Sequence, residues 1–337
     1  DCSGQKSPCH LAVQFDPDKD RNNHQNEPLN DKATFARYSR GFTDIHAWRR
    51  DNVNLFIKQI SDSIAQAKPH VKFGISPTGI WRNRKEDPRG SHSNVPMTSY
   101  DGVYADVRKW LQAGWIDYVA PQLYWSTTHP TADYDALLPW WNANSFGRHL
   151  YIGQGLFKTV NTEKYKRWKD PRQFALQLKL NRQQRHVKGS IYYNASSFKQ
   201  LSPEVERIIQ AENHKHLSLI PPMIWKDSIP PLKPANLKIT PLKGLPRLSW
   251  QTPEAATDGQ KPSYYVVYRF RPDEKANLED ASHIMAISRR QEWIDLNCKQ
   301  GERYLYVVTS VDRLHNESMS GEAILYDSNK PISSLTP

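Results

Sequence analysis

Apolar positions recur at helical spacing at Trp48, Val53, Phe56, Ile57, Ile60 and Ile64, which predicts a helix ending near Pro69. A short apolar run, VKFGIS at 71–76, lies between Pro69 and Pro77 and predicts a buried strand. After a long polar loop, Val103, Val107, Trp110 and Leu111 share one face of a helix from Tyr100 or Asp101 to Ala113. IDYVAPQLYW (116–125) is the second strand, and 134–144 the next helix, interrupted at Pro139. HLYIGQGL (149–156) is the third strand, followed by a helical stretch from 171 to about 186 that carries Phe174, Leu176, Leu178 and Leu180. GSIYYNAS (189–196) is the fourth strand and 203–213 the fourth following helix. Strict alternation of this kind predicts a parallel sheet with right-handed crossovers. The expected fold over 46–217 is therefore α/β, a partial (β/α) barrel of TIM type with about four βα units.

The pattern changes on both flanks. Residues 1–45 are polar and irregular, with a stretch at 16–30 dense in Asp, Asn, Lys and Pro. Prolines 221, 222, 230, 231 and 234 mark a stiff linker over 218–235. From 236 to 330 short alternating strands take over: LKIT, PRLSW, SYYVVYRF, a weaker HIMAIS, EWIDL and RYLYVVTSVD. No helical period interrupts them, so this segment reads as an all-β sandwich.

The composition narrows the function. Hydrophobic content of 38% with 24% charged residues describes a folded globular chain. No apolar run approaches the ~20 residues that cross a bilayer. The start at Asp1 rather than Met reads as a processed or shortened form. A formal net charge of +11 favours an anionic partner. The basic residues are spread along the chain without a nucleic-acid-binding motif, so no nucleic acid is expected, and an anionic glycan is the narrower option. Cys2, Cys9 and Cys298 lack metal-binding spacing; a Cys2–Cys9 disulfide and unpaired thiols both remain open. The histidines show no paired ligand spacing and no phosphate- or dinucleotide-binding glycine motif occurs, so neither metal nor cofactor is expected.

In a βα barrel, function sits on the loops after the strand C-termini. Ser76, Trp81, Arg82 and Asn83 follow the first strand; Gln122, Tyr124 and Trp125 close the second; Gln154 closes the third and Asn194 the fourth. Asp117 opens the second strand and belongs to the structural rim. Amides hydrogen-bond sugar hydroxyls in both directions, and flat aromatic faces add an apolar platform. Trp81 and Trp125 are the candidate platforms, against a core reading for each. Trp110, Trp115, Trp140 and Trp141 fall on helix faces or just before a strand and read as core. Glycoside hydrolysis ordinarily requires two carboxylates, and no predicted strand top ends in one. Glu86 and Asp87 follow the first strand, but beside Arg84, Lys85 and Arg89 they read as a charged surface cluster.

WRRDNVNLFI, VKFGISPTGIWRN, YADVRKWLQAGWIDYVAPQLYW, the WW pair and HLYIGQGLFK together resemble the glycosyl-hydrolase-like 10 family over residues 35–197. The resemblance implies a full (β/α)8 barrel in secreted or cell-envelope bacterial proteins, hydrolysing polysaccharide or peptidoglycan-type glycan. The matched part corresponds to the second half of that barrel; the family's acid-rich fourth strand end belongs to the first half and is not reproduced before Phe35. Residues 236–330 resemble a fibronectin type III domain, with Trp250 at its early core tryptophan and YLYVVTSVDRLHNES as its penultimate strand and turn. Two functions follow as expectations: a glycoside hydrolase, or a portion of one, and alternatively a non-catalytic glycan-binding or cell-envelope module. An open half-barrel exposes two sheet edges and an apolar face, which leaves open a homo-oligomer, a missing N-terminal half, a different closure of the sheet, or cover by residues 1–45.

Overall fold

A computed structural model describes residues 31–329. Two units divide between Asn52 and Val53. In the first, α1 (Lys32–Tyr38) and the start of α2 (Ile45–Ala67) are held by local pairs. Arg49 pairs with Asp31 at 2.6 Å, Arg40 with Asp51 at 2.7 Å, and the rings of Phe35 and Trp48 lie 5.4 Å apart. The helix α1 falls where the sequence suggested irregular chain; its seven residues have no buried face to produce a periodic signal.

The second unit begins with the α/β part. Strands β1 (Gly74–Ile75), β2 (Tyr118–Val119), β3 (His149–Gln154) and β4 (Val187–Tyr192) form one parallel sheet in that order. Between and after them run α3 (Ser99–Gly102), α4 (Val107–Gln112), α5 (Tyr134–Ala143), α6 (Phe157–Val160), α7 (Gln173–Arg182), α8 (Ala195–Phe198) and α9 (Pro203–Glu212). The four βα units are thus a partial barrel with open edges at β1 and β4 among the described residues. Its core gathers Ile57, Trp81, Trp110, Leu123, Leu137, Trp141 and Ile152, all buried. Of the four tryptophans expected there, Trp110 and Trp141 are buried, while Trp115 and Trp140 are half-buried against the same cluster.

Two helix expectations need correction. The single helix to Ala113 is broken, because Tyr104 adopts φ 57° and Asp106 starts α4 afresh by capping the Lys109 N–H. Val103, expected on the buried face, lies in the break and is 43% exposed. Conversely, α5 continues through Pro139. The proline lies on the exposed side, where burial of Leu137, Leu138 and Trp141 outweighs one missing intrahelical hydrogen bond.

The remaining strands, β5 (Ala235–Leu242), β6 (Leu245–Gln251), β7 (Tyr264–Phe270), β8 (Ile284–Ser288), β9 (Glu292–Ile294), β10 (Arg303–Val311) and β11 (Ile324–Asp327), are antiparallel. They make a three-stranded sheet β5-β6-β9 and a four-stranded sheet β11-β10-β7-β8, a fibronectin-type-III-like sandwich. Trp250, Tyr265, Tyr306 and Val308 fill its core, and buried Asp295 accepts hydrogen bonds from Tyr306 (2.7 Å) and Arg269 (2.6 Å). The proline-rich segment before it is pinned rather than free. Trp225 Nε1 donates to Asp117 Oδ1 at 2.8 Å, and Lys226 pairs with Asp117 at 3.2 Å. Met223 N donates to the Leu314 carbonyl, and Asn316 Nδ2 to that of Asp227. Asp117, at the N-terminal rim of the sheet, also accepts the Phe73 N–H at 2.8 Å and so ties β1, β2 and the linker together. Cys298 is half-buried and unpaired, whereas Cys2 and Cys9 lie outside the described residues.

Candidate functional site

The C-terminal ends of the strands are bound to each other before any side chain is free to act. Ser76 Oγ donates to the Ala120 carbonyl at 2.8 Å, and Gln122 Nε2 donates to the Ser76 carbonyl at 3.1 Å. Gly79 completes this junction. A Cβ there would lie 2.5 Å from the Gln122 carbonyl oxygen and 2.6 Å from the Trp125 ring, so glycine lets the β1 loop approach both. Trp125 is held from the other side by Gln177 Nε2, which donates to its carbonyl at 2.8 Å. Half-buried, it packs partly on the barrel core and partly lines a cleft with Tyr165.

Three strand ends converge on a group of rings. Tyr124 after β2 meets Phe157 after β3 edge to face at 5.8 Å, and Tyr193 after β4 at 6.0 Å. Phe157 and Tyr193 close the triangle at 5.8 Å, also edge to face. Tyr193 is 55% exposed and presents this group to solvent. The Lys158 ammonium donates to the Tyr124 carbonyl and lies 5.1 Å from the Tyr165 ring centre. Burial pushes the Tyr124 phenol up from its ordinary range, with Tyr193 adding to it. Both effects keep that hydroxyl protonated at neutral pH, as a hydrogen-bonding rather than a charged group.

Other sequence candidates are committed elsewhere. Trp81 is 1% exposed: its rings sit between Tyr100 (5.2 Å), Trp140 (6.2 Å) and the Arg108 guanidinium (4.9 Å). The platform expectation for Trp81 is therefore corrected; it is core. Asn83, 2% exposed, donates to the Val95 carbonyl and accepts from Ser93 and the Val95 N–H, organising its own loop. Arg82 binds Asp101 at 2.8 Å and lies over Tyr100. Gln154 is fully buried, donating to Tyr134 Oη at 2.8 Å, which donates on to Asn181 at 2.6 Å. The side chain thus lies in the interior, against Tyr134 and behind the open strand ends, rather than on the surface where the sequence placed it. Asn194 caps α8, its Oδ1 accepting from Ser196 and Ser197.

No carboxylate stands on the strand ends. Asp87 is buried under a bidentate Arg89 (2.7 and 3.0 Å), with Arg82 at 3.6 Å. The Arg89 hydrogen bonds, above all, hold its carboxyl down at about 2, so it stays ionised and donates no proton near neutral pH. Glu86 is exposed, with Lys85 at 3.5 Å. Among the described residues no cluster of three metal-ligating side chains occurs, and no helix is long and apolar enough to cross a membrane.

Phe157, Lys158, Tyr165 and Tyr193 were not singled out from the sequence. Phe157 and Tyr193 lie within three residues of Gln154 and Asn194, and the strand-end rule could have found them had it been extended to the rings next to those two amides. What the convergence offers is a set of aromatic faces with the hydroxyls of Tyr124 and Tyr193 among them, suited to holding a polyhydroxylated ring.

The model of the family described as glycosyl hydrolase-like 10 matches residues 11–170, starting earlier and ending sooner than the motifs at 35–197. The chain is similar to "Glycosyl hydrolase YngK" of Bacillus subtilis, 38% identical over 87% of this chain and 57% of that protein. It is also similar to "Glycosyl hydrolase DigH" of Escherichia coli K12, 41% identical over 40% of this chain and 31% of that one. The chain thus spans about half the length, or less, of these curated relatives. A Fn3-like protein from Clostridium thermocellum matches 28% of this chain and 90% of that chain, at 19% identity and a TM-score of 0.22. The sandwich assignment rests on the two antiparallel sheets themselves. The half-barrel, its ordered motifs and the family match agree, and residues 11–170 belong to the glycosyl hydrolase-like 10 family.

Proposed function

We propose that this chain forms the sugar-binding half of a glycoside hydrolase acting on polysaccharide or peptidoglycan-type glycan. The observation that carries the reading is the convergence of Tyr124, Phe157 and Tyr193 from three successive strand ends. With Phe157 edge to face against both tyrosines, ring faces remain for apolar sugar surfaces, while the phenols serve the hydroxyls. The acid and its partner carboxylate come, on this proposal, from outside the described half-barrel, whose open β1 edge a further barrel half covers in preference to a second copy. A bacterial secreted or cell-envelope location belongs to the same proposal and suits a glycan substrate.

A second reading, a non-catalytic glycan-binding module, is favoured by one observation: no described strand end carries a carboxylate. One experiment tests both. Binding of neutral oligosaccharides is titrated to the chain and to Tyr193→Ala, whose exposed ring leaves the core untouched. The reading expects binding that the variant weakens about tenfold, equivalent to ~1.4 kcal/mol of lost contact. No binding, or binding indifferent to Tyr193, refutes it. Adding the part of the longer relatives that this chain does not match then separates the two: release of reducing ends supports the hydrolase, and its absence the module.

A further inference from the structure

A cleft of about 280 Å³ opens beside the aromatic group, between the end of β2 and the loop after α6. Trp125 and Tyr165 form its apolar walls, and Lys158, Lys164, Lys166 and Arg167 its polar ones; no carboxylate lines it. None of the four cations has an ion pair among the described residues. The nearby acids are engaged elsewhere: Glu163 with Lys169 at 3.2 Å, and Asp133 with the N–H groups of Thr128 and Asp135 at the start of α5. Four like charges around one small cleft repel each other, an arrangement that favours an anionic occupant.

A second observation is independent of the charge. Ser126, also lining the cleft, is 2% exposed, yet its hydroxyl has no hydrogen-bond partner, and neither has the buried Nδ1 of neighbouring His129. A buried hydroxyl left unpaired costs on the order of 1–3 kcal/mol, which a polar atom of an occupant in the cleft would offset. The His129 imidazole is pushed down from its ordinary range, by burial first and then by Arg167 and Lys158, so it faces the cleft mainly as a neutral group near pH 7. The ammonium groups of Lys158 and Lys164 lie 5.1 and 5.5 Å from the Tyr165 ring centre, which places positive charge directly beside an aromatic face.

From this cleft we infer an anion subsite for a carboxylate-bearing sugar residue, its ring against Trp125 and Tyr165 and its carboxylate between Lys158, Lys164 and Arg167. The inference rests on the glycan reading and adds to it a class of substituent. Ser126 supplies the hydroxyl that fixes one carboxylate oxygen. Uronic acids and amino sugars bearing a carboxylate ether both present this chemistry.

The test uses the full chain, with hyaluronan tetrasaccharide, tetragalacturonate and the carboxyl-reduced form of each as probes at low ionic strength. At least one carboxylated probe should bind about tenfold tighter than its reduced form, the factor expected for charged hydrogen bonds. That advantage should shrink as salt rises. It should disappear in Lys164→Gln/Arg167→Gln, both exposed side chains, and persist in Lys169→Gln, which lies outside the cleft. Ser126→Ala should lower the advantage without lowering the melting temperature, because its hydroxyl has no partner to lose; a purely structural serine would do the reverse. Equal binding of charged and reduced probes overturns the subsite and leaves the glycan reading intact. An advantage untouched by the double substitution overturns its location. Failure of every probe, charged or reduced, removes the glycan reading and the subsite with it. Inorganic phosphate or a single-stranded oligonucleotide that competes as well as the carboxylated sugar does also refutes the inference, by revealing an unselective anion site.

Discussion

Replacing Trp81 and Trp125 separately by alanine distinguishes a core tryptophan from a site tryptophan, although both follow strand ends. Trp81 is 1% exposed, and an aromatic side chain of this kind buries about 150–250 Å², or ~4–6 kcal/mol at ~25 cal/mol per Å². Its removal also strips the indole N–H from Asp106 at 3.3 Å and leaves the Arg108 guanidinium, now over the ring at 4.9 Å, beside a void. Large-to-small changes at such positions cost about 3–5 kcal/mol. At about 2–4 °C per kcal/mol for a unit of this size, Trp81→Ala should lower the barrel melting temperature by about 6–20 °C. Trp125 is half-buried with one side on the cleft, so its loss should cost about half as much stability while weakening oligosaccharide binding. Calorimetry of both variants, paired with a binding titration, is the assay. A Trp81→Ala protein that melts within about 3 °C of the parent and loses sugar binding would show that its ring faces a ligand, and the burial reasoning fails.

Asp117→Ala leaves Trp225 Nε1, the Phe73 N–H and Lys226 without their shared acceptor, and should cost about 3–5 kcal/mol, read as a lowered melting temperature. His149 is pushed down to about 4, by burial and then by Lys72, and its Nε2 lies 3.0 Å from the Pro222 carbonyl. The unfolded chain then binds more protons than the folded one between about pH 6.5 and pH 4, so stability should fall as pH drops through that window. Melting curves of His149→Gln should be flatter over the same range. Asp87, held at about 2, contributes stability that is present above its unfolded value near 4 and lost as pH falls toward 2. Asp87→Asn should cost about 2 kcal/mol at neutral pH by denaturant titration, and the difference from the parent should vanish in strong acid.

Much of the fold was legible because it is written in periodicity. The four βα units, the proline-rich break and six of the seven sandwich strands each carry an apolar run or alternation of their own. The strand β11 (Ile324–Asp327) has one buried side chain, Tyr326, and gives no such signal. The broken helix at 103–106 depends on a positive φ at Tyr104, which no apolar pattern encodes. The site was less legible. Placing Trp81, Gln154 and Asn83 after strands located them correctly along the chain, but whether a side chain turns to the cleft or the helix layer depends on phase. Partners that decide it come from distant segments: Tyr134 for Gln154, Tyr100 and Arg108 for Trp81. Tyr193 and Phe157 were hidden for the converse reason, since neighbouring aromatic residues in a strand end look alike until the rings are seen to meet.

The most direct measurement is the release of new reducing ends by the purified chain, on peptidoglycan-type glycan strands and a panel of polysaccharides that it binds. The strand ends supply Ser76, Gln122, Tyr124 and Asn194 but no carboxylic acid, and Asp87 is locked as an anion by Arg89. The account predicts binding with release no faster than without protein. Robust turnover that disappears in Glu86→Gln would contradict it, and would place the catalytic acid on the loop after β1.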